Sequence, residues 1–292
     1  MSTRPEMRQA ENREQIRSIT RRWRQAGQQI ALVPTMGNLH DGHLALVEAA
    51  RREADRVVTS IYVNPAQFGE GEDFESYPRT LETDRQSLEQ AGCDLLFAPD
   101  HRTMYPQGLE NAVRLLAPPD LTTSLEGDSR PGHFDGVVTV VARLFNLVDP
   151  EIAVFGEKDY QQLLVIDRLV NDLGFGIRIV PVPTIREASG LAMSSRNNYL
   201  EPVQRKAAGE LNAVLFEAAE RIKRGASEMT QVERAAVVRL ESLEFRVEYV
   251  AIRRAEDLGM PRPGDQQLRI LAAAWFGQTR LIDNTGIIRV GI

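Results

Sequence analysis

The chain has 292 residues, of which 42% are hydrophobic and 26% are charged, and its net charge is −6. This composition is typical of a globular protein large enough for one large domain or two. The charge is spread along the chain, which argues against a general nucleic-acid-binding surface, and there is no run of about 18 apolar residues to span a membrane. The polar start lacks the apolar core of a signal peptide, and Cys93, the only cysteine, allows neither a disulfide nor a cysteine-based zinc site. We therefore expect a soluble, cytoplasmic protein.

Short apolar runs alternate with helix-length segments in the first part of the chain. Buried strands are predicted at Ile30–Val33, Val57–Val63, Leu95–Ala98, Ile152–Phe155 and Ile177–Val182. Apolar residues recur at helical spacing between them, most clearly over Phe134–Val148 and Tyr160–Leu173. Nearly continuous apolar strands that alternate with helices indicate a parallel sheet covered on both faces. Residues 1–183 are therefore predicted to form a Rossmann-like α/β domain that binds the substrates.

The pattern changes after about Thr184. Helices are predicted around Leu211–Ile222 and at Thr230–Leu243, and strands at Phe245–Ala251 and Leu268–Phe276. Helices followed by strands indicate a smaller α+β domain with an antiparallel sheet. We expect residues 184–292 to form this domain and to cover the site.

A loop with two glycines and two histidines follows the first predicted strand directly. Ligands of open parallel sheets bind beyond the carboxyl ends of the strands, and Gly37 and Gly42 allow the backbone to come close to a ligand. A helix that begins near Gly42 directs N–H groups at an anion, and His40 and His43 can donate hydrogen bonds to phosphate oxygens. The histidines also fit an exposed pair or metal ligands, although the sequence nearby offers no third His or Cys. The loop is neither a Walker loop nor the three-glycine dinucleotide fingerprint. By itself it indicates a nucleotidyl-transfer site.

Two later segments add groups that suit a phosphate. Lys158 follows the predicted strand Ile152–Phe155, at the same carboxyl edge of the sheet as the histidines, and its flexible ammonium can bind a phosphate. Ser194, Ser195 and Arg196 resemble a phosphate clamp of hydroxyls, N–H groups and a guanidinium. A solvated lysine and a capped turn that begins a helix are the alternative interpretations.

The histidine loop is the first of a series of motifs that resembles a known family. The His-x-Gly-His element is similar to that of the nucleotidylyltransferase superfamily, and the longer string Pro34–His43 resembles the pantothenate synthetases (pantoate–β-alanine ligases). Further matches follow in order at Val63–Phe68, Tyr77–Thr80, Ser129–Phe134, Phe155–Gln162, Arg186–Glu187 with Gly190–Asn197, and Arg280–Asn284. Together they span nearly the whole chain, which makes the resemblance far more specific than a histidine pair. Tyr62 and Tyr160 occupy positions where the family also has phenylalanine, and Asp41 one where glutamate is common, and none of these differences affects the chemistry.

The resemblance implies an ATP-dependent ligase that joins (R)-pantoate to β-alanine through a pantoyl adenylate and releases AMP and pyrophosphate. The attacking carboxylate is already ionised, so the reaction needs charge neutralisation and in-line positioning rather than a Ser-His-Asp triad. The resemblance also implies ATP with Mg²⁺, small-molecule substrates, no nucleic-acid or membrane partner, and a homodimer. The ligands of the magnesium ion stay open.

The resemblance further assigns roles to single residues. It implies that His43 is the proton donor, that His40 is its phosphate-binding neighbour and that Lys158 is the third catalytic group. The other ATP-binding positions are Met36, Gly37, Asn38, Leu39, Asp41, Gly42, Gly156, Glu157, Asp159, Ile185, Met193, Ser194, Ser195 and Arg196. Among these, Asp159 is expected to bind the ribose.

The acid substrate is assigned to neutral side chains. By resemblance Gln67 and Gln162 contact pantoate, and Gln67 also contacts β-alanine. Amides both donate and accept hydrogen bonds, and they suit a carboxylate that must remain nucleophilic, because a cation pressed against it would weaken its attack. Asn64 and Tyr77 are expected to line the same pocket, whereas Arg130 either holds the substrate or is structural.

Two other functions are compatible with a nucleotide site. A nucleotidylyltransferase that acts on a phosphorylated acceptor would keep the adenylate in its product, and a non-catalytic ATP-binding regulator would bind ATP without turnover. Gln67, Gln162 and the string Ser194–Arg196 favour the ligase over the first. The presence of every expected polar site residue favours it over the second.

Overall fold

The computed structural model describes residues 6–226 and 228–289, and these residues form two compact units. The first unit contains the described residues up to Pro119, together with Arg130–Glu157 and Val165–Pro183. The second contains Asp120–Ser129, Lys158–Leu164 and the described residues from Thr184 onward. Two segments that precede residue 184 therefore pack with the later part of the chain. The division into domains after residue 183 stays a prediction, and its outer limits, residues 1 and 292, lie outside the described residues.

A parallel sheet forms the centre of the first unit. Its strands are β1 (Arg8–Ala10), β2 (Ile30–Thr35), β3 (Arg56–Ile61), β4 (Leu95–Phe97), β5 (Ile152–Gly156) and β6 (Arg178–Val182). They are ordered β1-β4-β3-β2-β5-β6, and every pair is parallel. The predicted α/β class is thus confirmed, and the strands predicted from apolar runs are present with small shifts at their ends. Strand β1 was not predicted, because Ala10 is its only buried residue.

Helices cover this sheet on both faces. In chain order the helices up to residue 172 are α1 (Arg13–Gln25), α2 (Asp41–Glu53), α3 (Leu81–Ala91), α4 (His101–Met104), α5 (Pro119–Thr122), α6 (Glu126–Ser129), α7 (His133–Val148) and α8 (Tyr160–Asp172), with 3-10 helices at Pro65–Gln67 and Glu157–Asp159. Ala31 and Val33 of β2 share a buried cluster with Leu46 and Val47 of α2. Alternate residues of β2 point to the other face of the sheet, and α1 and α7 both contact this strand.

The second unit contains an antiparallel sheet and the remaining helices. The elements are a 3-10 helix (Ser195–Tyr199), α9 (Pro202–Ala207), α10 (Glu210–Lys223), α11 (Met229–Ser242), β7 (Arg246–Arg254), β8 (Gln267–Phe276) and β9 (Thr279–Ile288). The strands are ordered β7-β8-β9, and α10 and α11 bury their apolar faces against them. The predicted antiparallel sheet is confirmed. Strand β9 was not predicted, because the buried polar residues Thr279, Asp283 and Asn284 interrupt its apolar pattern.

The segment that contains α5 and α6 is tied to the second unit by buried polar contacts. The Glu126 carboxylate accepts hydrogen bonds from both terminal nitrogens of Arg280, at 2.8 and 2.9 Å, and from the hydroxyl of Tyr249 at 2.8 Å. The amide of Gln161 donates to the backbone carbonyl of Leu121 at 2.7 Å. These partners are distant in sequence, so the apolar pattern that located the strands does not reveal where this segment packs.

Candidate functional site

The loop after β2 is held by a buried carboxylate. Gly37 and Asn38 both have positive φ angles, 84° and 50°. The turn that results directs the N–H groups of Asn38 and Leu39 to the two oxygens of Asp84, each at 2.8 Å, and the hydroxyl of Thr80 donates to the same group. A side chain on Gly37 would place its Cβ 3.1 Å from Asp84, which explains the glycine. Asp84 is 2% exposed, and it was not predicted, because nothing in the sequence distinguishes this helical acid from a surface acid.

The Asp84 contact changes how the loop can bind an anion. Because the N–H groups of Asn38 and Leu39 donate to an internal carboxylate, phosphate contacts at these two positions would have to use other atoms. Helix α2 begins at Asp41, two residues after Leu39, and a helix start is a position where an anion is stabilised. The predicted helix start near Gly42 is thereby confirmed.

The two predicted histidines lie side by side at the start of α2. Their ring centroids are 4.1 Å apart. The backbone N–H of His40 donates to Nδ1 of His43 at 3.4 Å. A neutral imidazole whose Nδ1 accepts a hydrogen bond carries its proton on Nε2. His43 therefore presents an Nε2–H donor, the group needed to stabilise charge on a phosphate oxygen.

The segment that carries Asn64 and Gln67 follows β3 and packs against α7. Asn64 caps the 3-10 helix that ends at Gln67, and both side chains are buried. A Cβ at Gly136 of α7 would lie 2.1 Å from the carbonyl oxygen of Ala66. Only glycine therefore permits this close approach, which packs the segment of Asn64 and Gln67 directly against α7.

Arg130 lies beside the same segment. It forms a bidentate ion pair with Glu72, with nitrogen–oxygen distances of 2.6 and 2.7 Å, and donates to the backbone carbonyl of Gln67 at 3.2 Å. Nδ1 of His133 donates to the same carbonyl at 2.8 Å. Burial acts to raise the pKa of Glu72, but the hydrogen bonds and charge of Arg130 lower it overall. The structural role left open for Arg130 is thus present, and a substrate contact stays a prediction.

Tyr77 is buried in an aromatic cluster. Its ring packs edge-on against Phe68 with centroids 5.8 Å apart, and Phe68 packs in turn against Phe74. These contacts hold the loop between β3 and α3. A contact between Tyr77 and the substrate stays a prediction.

In the second unit, Lys158 lies in the 3-10 helix that follows β5. Its backbone carbonyl accepts a hydrogen bond from the amide of Asn284 at 2.8 Å, and Arg269 donates to the oxygen of that amide at 2.9 Å. The ammonium of Lys158 is 3.6 Å from the half-exposed carboxylate of Asp159. Asn284 belongs to the last of the matched motifs, and its contact with Lys158 gives that motif a physical role.

The two neighbouring glutamines of α8 differ in their surroundings. Gln161 is 3% exposed, and its amide binds the backbone of the α5–α6 segment on both its donor and its acceptor side. Gln162 is only partly buried. The position of Gln161 in the matched motif therefore has a structural reason, and Gln162 is the one of the pair that suits a substrate contact.

The predicted nucleotide positions after residue 184 lie on one folded loop. The N–H of Met193 donates to the carbonyl of Ile185 at 2.9 Å, which brings these residues together. The hydroxyl of Ser194 accepts from the N–H of Arg196 at 3.2 Å and caps the 3-10 helix that follows. The interpretation of this string as a capped turn is thus confirmed, and it does not conflict with a phosphate-binding role.

Ion pairs hold this loop in place. Arg186 binds both oxygens of the buried Asp283, at 2.6 and 2.9 Å. Glu187 accepts from Asn197 at 2.7 Å and pairs with Arg205 at 2.8 Å. The charged residues that flank the predicted clamp therefore neutralise one another.

The predicted site residues are divided between the two units. The first unit holds Met36, Gly37, Asn38, Leu39, His40, Asp41, Gly42, His43, Asn64, Gln67, Tyr77, Arg130, Gly156 and Glu157. The second holds Lys158, Asp159, Gln162, Ile185, Met193, Ser194, Ser195 and Arg196. Within the first unit, Nε2 of Gln67 donates to the sulfur of Met36 at 3.0 Å, so the histidine loop and the glutamine segment meet. Their roles towards substrates stay predictions.

Known proteins match the chain over nearly its full length. The model of the family described as pantoate-beta-alanine ligase matches residues 8–286. A pantothenate synthetase of Thioalkalivibrio sulfidiphilus is 55% identical over 90% of this chain and 91% of its own length, and one of Halorhodospira halophila is 51% identical over 95% and 98%. The crystal structure of pantothenate synthetase from Thermus thermophilus aligns with a TM-score of 0.89, at 49% identity over 96% of this chain and 99% of its own.

A further solved structure includes ligands. The pantoate-beta-alanine ligase of Francisella tularensis, complexed with beta-gamma ATP and beta-alanine, aligns with a TM-score of 0.78. It is 35% identical over 96% of this chain and 97% of its own. The family expected from the ordered motifs is therefore confirmed.

Proposed function

The chain belongs to the pantoate–β-alanine ligase family, and we propose that it condenses pantoate with β-alanine to form pantothenate, while ATP is converted to AMP and pyrophosphate. What carries this proposal is the agreement with the family over residues 8–286, which includes both the histidine loop and the glutamine segment. The complex of the Francisella tularensis ligase supports it, since its bound beta-gamma ATP and beta-alanine correspond to two of the three substrates that this reaction requires.

The first step is the transfer of the adenylyl group. A carboxylate oxygen of pantoate attacks the α-phosphorus of ATP, the bond to the bridging oxygen breaks, and pyrophosphate leaves with that electron pair. The Nε2–H of His43 donates to a phosphate oxygen, and His40 and the ammonium of Lys158 add positive potential where negative charge accumulates. The neutral amides of Gln67 and Gln162 orient pantoate without reducing the nucleophilicity of its carboxylate.

In the second step the amine of β-alanine attacks the acyl carbon of the adenylate. A C–N bond forms, the C–O bond to the phosphate breaks, and AMP leaves while the amine loses a proton. The N–H group of Ser195, the hydroxyl of Ser194 and the guanidinium of Arg196 are suited to binding the phosphate of AMP. No side-chain nucleophile is needed, because the adenylate is already an activated acyl group.

Magnesium is proposed to enter with ATP. Among the described residues, no group of three or more His, Cys, Asp or Glu side chains is placed to hold a metal ion. Mg²⁺ in nucleotide sites is held mainly by phosphate oxygens and water, with one or two protein carboxylates. Asp159, whose side chain is 48% exposed beside Lys158, can supply such a carboxylate or bind the ribose.

We also infer a homodimer in the cytoplasm. Val113 and Leu116, 80% and 83% exposed, are three residues apart in a segment without helix or strand structure, and exposed apolar side chains suit contact with a second copy. In the part of the chain that the structure describes, no helix is both long enough and apolar enough to cross a membrane. Light scattering at micromolar concentration tests the dimer, and a mass of one chain would contradict it.

The decisive experiment is exchange of labelled pyrophosphate into ATP in the presence of magnesium but without β-alanine. The proposal expects exchange only when pantoate is present, and AMP release with pantothenate formation once β-alanine is added. Folded protein that shows no pantoate-dependent exchange would overturn the ligase. Adenylate retained in the product would indicate a nucleotidylyltransferase instead.

A further inference from the structure

A tyrosine outside all the matched motifs contacts the glutamine segment. Tyr105 follows α4 and is 1% exposed. Its hydroxyl donates to the side-chain oxygen of Asn64 at 2.7 Å. Burial raises the pKa of Tyr105, so the phenol keeps its proton and remains a donor. Arg143 lies over the face of the ring, 4.8 Å from its centroid, and helps to hold it.

The surroundings of Asn64 permit one orientation of its amide. Its nitrogen faces the backbone carbonyl of Gly136 at 3.2 Å, a group that only accepts. Its oxygen faces the backbone N–H of Ala66 at 3.4 Å, a group that only donates. If the amide were reversed, its oxygen would face the carbonyl oxygen of Gly136 and its NH₂ group would face the N–H of Ala66, and neither pair could form a hydrogen bond. Tyr105 therefore donates to Asn64, and its short hydrogen bond is the strongest contact on that oxygen.

The orientation of Asn64 determines that of Gln67. The Asn64 nitrogen also donates to the Gln67 side-chain oxygen, at 3.3 Å. The other end of the Gln67 amide, its NH₂ group, lies 3.0 Å from the sulfur of Met36, which is a weak acceptor. Tyr105, Asn64 and Gln67 thus form a relay, in which the hydrogen bond from each side chain fixes the orientation of the next.

We propose that Tyr105 is a positioning residue for the acid substrate, which acts through Asn64 to hold Gln67 with its NH₂ end available to pantoate oxygens. The inference rests on the proposed function, because that function assigns pantoate to Gln67. An NH₂ group donates to a carboxylate or hydroxyl oxygen, whereas a reversed amide would present its carbonyl oxygen and repel a carboxylate. The relay therefore selects an oxygen-rich anionic acid at this position.

The test compares two tyrosine variants in the pantoate-dependent exchange reaction. Tyr105→Phe removes the donor and should raise the apparent KM for pantoate about tenfold, with the KM for ATP changed by less than about twofold. Tyr62→Phe is the matched control. Its hydroxyl belongs to the same buried aromatic cluster but bonds His101 at 3.0 Å instead of Asn64, so it should leave both KM values unchanged.

A double-mutant cycle separates the relay from general damage. In a Gln67→Ala background, Tyr105→Phe should change pantoate affinity by less than about twofold, because the residue through which it acts is absent. Pantoate affinity is measured there by the ligand-induced rise in Tm, which requires no turnover. An effect of Tyr105→Phe that equals that of Tyr62→Phe, that falls equally on ATP and pantoate, or that persists in the Gln67→Ala background overturns the relay. Wild-type protein without pantoate-dependent exchange would remove the proposed function as well.

Discussion

Two loops that carry predicted phosphate-binding residues are held by different physical means. In the first unit, the loop after β2 is fixed by backbone N–H groups that donate to the carboxylate of Asp84. In the second unit, the loop from Ile185 to Arg196 is fixed by side-chain ion pairs, above all by Arg186 with Asp283, 97 residues away in sequence. The loop after β2 needs one charge and the geometry of a turn, whereas the loop from Ile185 to Arg196 needs two opposite charges from distant parts of the chain.

The comparison shows that cations near a motif are not all available to a substrate. Arg186, Arg205 and Arg280 of the second unit bind Asp283, Glu187 and Glu126. Arg130 of the first unit binds Glu72. In an acidic protein that handles anionic substrates, the substrate-facing groups must be distinguished from these structural pairs by their partners. His43 and Lys158, which belong to none of these four ion pairs, stay the groups that we propose for the phosphates.

The largest expected effect comes from removing the proposed phosphate donors, one from each unit. His43→Ala and Lys158→Ala should each lower pantoate-dependent pyrophosphate exchange by about a hundredfold or more, because each removes a group that stabilises the transition state. Cys93→Ser is the control and should leave exchange nearly unchanged, since burial raises the pKa of Cys93 to about 11 and keeps the thiol unreactive. If only His43→Ala lowers the rate, the chemistry is supplied by the first unit alone.

The ion pair of the second loop should dominate its stability. Asp283→Asn leaves Arg186 without its anion and should cost about 3 kcal/mol in the free energy of unfolding, measured in urea. Glu53→Gln offers a matched control, because its ion pair with Arg178 is largely exposed and should contribute less than about 1 kcal/mol. Equal effects of the two substitutions would contradict the role given to the buried pair.

The carboxylate of the first loop should affect both stability and rate. Asp84→Asn replaces an acceptor by an NH₂ group that faces a backbone N–H, which should cost about 1–3 kcal/mol and lower exchange about tenfold. Asp94→Asn is the comparison, because Asp94 also accepts from a backbone N–H, that of Val57 in β3, but lies just before β4 and away from the histidine loop. It should lower the stability without changing the exchange rate, and a similar loss of rate in both variants would show that Asp84 has no special role.

The smallest effect concerns pH and the pair of Arg130 with Glu72. The pKa of Glu72 is lowered in the folded protein, so its pairing stabilises the fold above the ordinary glutamate value of 4.5 and loses this contribution as the pH falls through the folded value. The difference in Tm between wild type and Glu72→Gln should thus be constant near neutral pH and shrink below about pH 4.5. A difference that grows on acidification would contradict the sign of this shift.

The histidine loop could be predicted from sequence, whereas the residues that hold it and the glutamine segment in place could not, and the reason is physical. The histidine loop could be located from sequence because a buried parallel strand is a continuous apolar run and its ligands bind at its carboxyl end. Asp84, Gly136 and Tyr105 could not be found in this way. Each acts through a single contact with a residue distant in the chain, and no local periodicity marks such a contact.

The sequence by itself determined the fold class, the parallel and antiparallel sheets and, through its ordered motifs, the family. These follow from short-range patterns and from residue types that the chemistry requires. Only the tertiary structure decided that Glu126 and its segment pack with the second unit, that Gln161 is structural, and that Tyr105 orients Gln67 through Asn64. The reason is that the direction of a buried hydrogen bond depends on which donor and acceptor face each other, and this depends on contacts between distant parts of the chain.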